Sequence, residues 1–130
     1  MHLTAGILRA TYDRLRMFKP FNRWDLPPGS NIKFTMVESV DFIARASDKP
    51  LTIEFSKPRS WTLATLDRTM AHEMIHIRQL VKGTLGKSED SHHNREFHRM
   101  SQPICKELEF ADIKPRKEKP FQFGSTSRKR

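Results

Sequence analysis

Trp61-Thr-Leu-Ala-Thr-Leu-Asp-Arg-Thr-Met70-Ala-His-Glu-Met-Ile-His-Ile-Arg-Gln-Leu80-Val-Lys-Gly83 is the stretch whose reading decides the fold. Leu63, Leu66, Met70, Met74, Ile77 and Val81 recur with a 3.6-residue period, which predicts an amphipathic helix turned toward a core. Ser60 or Thr62 can cap its start, and Gly83 suits a left-handed cap at its end. The line through Thr65, Thr69, His72, His76 and Gln79 is polar and flanked by core positions on both sides. Inside this helix lies His72-Glu73-Met74-Ile75-His76, the pattern HExxH. Side chains four apart on a helix stand one turn above each other, so both imidazoles can reach one ion. Glu73 sits beside them, placed to take a proton from a water activated by that ion. The reading is therefore a Zn2+ site with His72 and His76 as ligands and Glu73 as catalytic base. The bland alternative is a pair of buried neutral histidines satisfied by hydrogen bonds.

Outward from this helix the pattern is α+β. Leu3, Ile7, Leu8, Tyr12, Leu15 and Phe18 predict an N-terminal helix over 3–19, stopped by Pro20. The connection 20–30 is proline-rich, with Trp24 and Leu26 expected to pin it to the core. Ile32, Phe34 and Met36 alternate with polar residues as a half-buried strand. Residues 39–46 and 51–56 read as two more strands around a turn at 47–50. These three give an expected small three-stranded antiparallel sheet. After the polar loop 83–92, a short ligand helix starts near Asn94, a good N-cap. Pro103 is expected to break it, with Ser101 capping a last turn or two toward Phe110. The domain is expected to span 1–110, with 111–130 a basic, largely disordered tail.

Zn2+ requires a third protein ligand. Gln79 and Lys82 stand where a metzincin carries Gly and His, which excludes that class. Glu89, Asp90, His92, His93, Glu96 and His98 remain as candidates, and a Glu on a following helix, the thermolysin-like choice, nominates Glu96. His93-Asn94-Arg95-Glu96-Phe97, following an HEMIH helix and a polar loop, resembles the SprT-like metallopeptidases, which include the Spartan proteases of DNA–protein crosslink repair. That family pairs an HEMIH-type motif with a later HGxxF-type segment whose His completes the zinc site. The resemblance thus implies His93 as third ligand and proteins bound or crosslinked to DNA as substrates. It covers roughly residues 30–110 in order of elements. Asn94 replaces the family's glycine and Arg95 a common proline, both changes suited to a helix start.

The 130 residues carry 24 Lys plus Arg against 15 Asp plus Glu, a formal net charge of +9. Such an excess favours salt-sensitive contact with polyanions. In the tail, Lys114, Arg116, Lys117, Lys119, Arg128, Lys129 and Arg130, with Phe121 and Phe123 between them, can track a phosphate backbone; a solubilising end is the other reading. No apolar run approaches a membrane span, so no membrane partner is expected. One cysteine, Cys105, makes no internal disulfide and fits a reducing cytoplasm, with DNA association added by the charge. Two rivals stand beside the DNA-associated metalloprotease. One is a non-catalytic DNA-binding protein with a structural zinc site, which would have no need of Glu73. The other is a metalloprotease acting on free proteins, with charge serving solubility.

Overall fold

A computed structural model describes residues 2–85 and 94–108. Helix α1 (Ala5–Leu15) opens on Thr4, whose side chain accepts from the Ile7 amide at 3.1 Å. It is shorter than the periodicity predicts. Leu15 is buried but Met17 and Phe18 are exposed, so nothing apolar holds a further turn, and a residue preceding proline disfavours the helical region. The connection that follows is pinned largely as expected. Leu26 is buried, Trp24 packs edge-on against Phe21 at 5.1 Å, and the Arg78 guanidinium donates to the Trp24 carbonyl.

Strands β1 (Lys33–Val37), β2 (Ala44–Ser47) and β3 (Thr52–Ser56) form one sheet in the order β1-β3-β2. The sheet is mixed, which corrects the antiparallel expectation. β2 and β3 make an antiparallel hairpin with Ser47 opposite Thr52, whereas β1 pairs parallel to β3 with Phe34 opposite Ile53. Burial decides the order. β3 carries Ile53, Phe55 and Ser56 fully buried and takes the centre, while β2 has exposed Arg45 and Ser47 and takes an edge. With the chain reversing once before β2 and once after it, a β1 placed beside β3 runs parallel to it. Strand β2 is also shorter than 39–46; Ser39 instead turns the chain by accepting from the Asp41 amide at 3.2 Å.

Cross-strand neighbours Phe34–Ile53–Ala46 and Met36–Phe55–Ala44 share one face of the sheet. Both long helices pack there. α1 meets β1 through Tyr12 and Phe34, whose rings lie 5.6 Å apart, and α2 (Leu63–Lys82) packs on β2 and α1. The opposite face carries polar pairs such as Arg45 Nε to Glu54 Oε1 at 2.6 Å. α2 starts on Thr62 in a reciprocal capping box with Thr65 and ends on Gly83 at φ 77°, where only glycine is unstrained. Trp61 fixes its entry, its ring packed at a tilt against Phe55 with centroids 4.9 Å apart and its Nε1 donating to the Ser56 carbonyl.

Helix α3 (Arg95–Leu108) packs on α2. The expected break at Pro103 does not occur. Proline removes one hydrogen bond to the carbonyl four residues back, but buried Phe97, Ser101 and Ile104 hold that face of α3 in place. The Ser101 hydroxyl, expected as a cap, donates to the His98 carbonyl instead. No described helix is long and apolar enough to cross a membrane.

Candidate metal centre

Helix α2 is buried on every side through its middle: all residues from Thr69 to Ile77 are buried. The polar line of the sequence is therefore inside the protein, sandwiched between α2's own apolar sides and α3. His72, Glu73 and His76 are 0%, 1% and 2% exposed. The two imidazoles converge, with His72 Nε2 and His76 Nε2 3.2 Å apart. Two nitrogens held at 2.0–2.1 Å by one tetrahedral zinc lie about 3.3–3.4 Å from each other. The spacing thus suits a shared ion with little rearrangement.

Glu73 is the other unusual feature of this helix. Its Oε1 is buried with no hydrogen-bond partner, as is the Thr69 hydroxyl one turn earlier. Burial pushes the Glu73 carboxyl well above the usual carboxylate range. An unsatisfied buried acceptor costs about 1–3 kcal/mol. A side chain serving the fold alone would be better replaced by an apolar one.

The two histidines are held from α3 and from α2's own last turns. Phe97 packs against both rings, 4.7 Å from His72 and stacked on His76 at 5.1 Å between centroids. His76 Nδ1 lies 3.1 Å from Gln79 Oε1. Gln79 Nε2 in turn donates to Asn94 Oδ1 at 3.2 Å and to Glu96 Oε1 at 3.1 Å. Asn94 caps α3 as its sequence suggests, accepting from the Phe97 amide at 3.0 Å.

Glu96, the thermolysin-like candidate, is otherwise engaged. Its Oε1 accepts from Gln79 and, at 2.6 Å, from the Thr84 hydroxyl; its Oε2 accepts from Lys82 Nζ at 2.7 Å. Desolvation raises its pKa, but hydrogen bonds from Lys82, Thr84 and Gln79, with the Lys82 charge, outweigh it and bring it down to about 2. It is a clamp on the far side of Gln79 from the histidine pair. His98 sits half-buried on α3, edge-on to Phe97. His2 is exposed. Tyr12 is a core residue whose hydroxyl donates to the Pro27 carbonyl at 2.7 Å, and burial raises its pKa. Cys105 is half-buried.

Among the described residues, no group of three or more His, Cys, Asp or Glu side chains is arranged to hold a metal ion. The expected third ligand, His93, lies outside the described residues, as do Glu89, Asp90, His92 and the tail cations Lys114, Arg116, Lys117, Lys119, Arg128, Lys129 and Arg130. Two residues of the site carried no functional reading in the sequence. Gln79 stood out as the end of the polar line and as the wrong residue for a metzincin, three positions after His76 on the same helical face. Phe97 read as helix core, which it is, but the core it builds is the wall against both imidazoles. No protein-family model matches the chain, and no curated protein matches it.

Proposed function

We propose that this chain is a zinc-dependent metallopeptidase of the SprT-like kind, hydrolysing peptide bonds in proteins bound or crosslinked to DNA. The observation that carries the reading is the convergence of His72 Nε2 and His76 Nε2 at 3.2 Å beside the buried, unpartnered carboxyl of Glu73. His72 and His76 would hold the ion. His93 would complete the set; one peptide link joins it to Asn94, which Gln79 ties to the site. Zn2+ bound there would supply Lewis acidity toward the scissile carbonyl and lower the pKa of a nearby water.

Glu73 does the proton work. Desolvation disfavours its carboxylate form when no positive charge is near, and a neighbouring cation favours that form. As carboxylate it takes a proton from the attacking water while the new C–O bond forms. It then passes that proton to the amine nitrogen as the C–N bond breaks. Phe97 shields the pair from bulk water on the α3 side. The net charge of +9 supports recruitment to nucleic acid.

Near-complete burial of His72, Glu73 and His76 favours a second reading, a structural zinc site in a non-catalytic DNA-binding protein. Metal content by mass spectrometry, beside peptidase assays with and without DNA, separates the two. Stoichiometric zinc with hydrolysis that disappears in Glu73→Gln supports the enzyme. Stoichiometric zinc with no hydrolysis in either condition supports the structural site, and absence of zinc from the freshly purified protein sinks both.

A further inference from the structure

The hydrogen bonds around Gln79 leave no freedom in where their protons lie. The Phe97 backbone N–H can only donate, so the Asn94 atom it meets at 3.0 Å is the carbonyl oxygen. The Gln79 atom 3.2 Å from that oxygen is also 3.1 Å from the Glu96 carboxylate. Between two acceptors it must be the amide nitrogen, which uses both of its N–H groups there. The other Gln79 atom is therefore the carbonyl oxygen, and it faces His76 Nδ1 at 3.1 Å. Only a protonated Nδ1 makes that contact favourable. A backbone amide at one end and a carboxylate clamped by Lys82 and Thr84 at the other thus determine the state of an imidazole neither of them touches.

We propose that Gln79 is a positioning residue: gripped by Asn94 and Glu96, it locks His76 in the Nδ1–H tautomer and leaves Nε2 unprotonated and directed at His72 Nε2. This deepens the metal reading and rests on it for its purpose, but the tautomer itself is a property of the metal-free chain. Nε2 is the nitrogen that must present a lone pair to an ion shared with His72. Fixing the proton on Nδ1 removes the cost of rearranging the imidazole when a cation arrives, and outer partners of this kind are worth about 10–100-fold in metal affinity.

The test is 15N NMR of the imidazole nitrogens in metal-free full-length protein at neutral pH. His76 is expected to show a protonated Nδ1 and a bare Nε2. In Gln79→Met, which keeps length and apolar volume but offers no acceptor, His76 should shift toward the Nε2–H form, and Zn2+ affinity should fall about 10–100-fold. The wild-type spectrum decides the point by itself if Gln79→Met fails to fold. A wild-type His76 protonated at Nε2 overturns the inference, as does a folded Gln79→Met with the Nδ1–H form still dominant. A chain that shows the Nδ1–H tautomer but binds no Zn2+ refutes the metallopeptidase reading and leaves the role of Gln79 standing.

Discussion

Replacing Glu96 with Gln keeps the shape of the clamp beside the site and removes its charge, so its cost should depend on pH in a defined direction. The carboxyl lies near 4.5 in an unfolded chain and near 2 in the fold. At about 1.4 kcal/mol per pH unit, complete linkage would be worth about 3.4 kcal/mol. The Lys82 side chain is 39% exposed, so solvent screens a good part of this, and a loss of about 1–2 kcal/mol is the reasonable expectation. Because folding lowers this pKa, the stabilisation is present above the unfolded value and is lost as pH falls from about 4.5 toward 2. Urea unfolding of both proteins at a series of pH values measures it. Acid effects common to both cancel in the difference. The gap between wild type and Glu96→Gln should be flat from pH 7 to 5 and then close. A gap that stays constant down to pH 2.5, or one below about 0.5 kcal/mol at pH 7, would refute the clamp.

His72→Ala and His76→Ala should each abolish stoichiometric zinc by mass spectrometry, and so should His93→Ala; retention in the last would move the third ligand elsewhere in 83–98. Glu73→Gln should keep zinc while ending hydrolysis of a protein substrate. Folding raises the Glu73 pKa, so its carboxyl opposes folding increasingly as pH rises above the unfolded value. In metal-free protein Glu73→Gln should therefore be the more stable at neutral pH, with the advantage shrinking as pH falls below the unfolded value. Phe97→Ala should cost about 3–5 kcal/mol in thermal or urea unfolding, since it empties the wall against both imidazoles. Removing 114–130 takes away six of the nine net positive charges; DNA affinity should fall and its dependence on salt should flatten, while cleavage of a free unstructured protein continues.

What could be read from the sequence divides along physical lines. α2, its caps, the existence of β1 and the Asn94 cap were all legible, because each rests on local periodicity or on one side chain meeting a nearby backbone group. The pairing of β1 with β3 was not. Strand order depends on which strand is most buried, and the full burial of Ile53, Phe55 and Ser56 in β3 against exposed Arg45 and Ser47 in β2 emerges only on packing. The run of α3 through Pro103 was hidden for a similar reason, since packing against α2 overrides a local cost. At the site, the spacing of His72, Glu73 and His76 announced itself, but Gln79 did not. Its role depends on Asn94 and Glu96 arriving from another helix, and no pattern within α2 encodes that meeting.

The unbroken burial from Thr69 to Ile77 limits how this chain can change. An ordinary surface helix offers a solvent-facing side where substitutions accumulate at little cost. Here the whole stretch is buried in a helix packed against α1, β2 and α3, so a change at one position calls for an answering change in another element. Drift in this segment must be correlated, and saturation mutagenesis should find it the least tolerant stretch of the described chain. Probes or tethers for following the site would have to be attached at the helix ends, where Leu63 and Val81 face solvent.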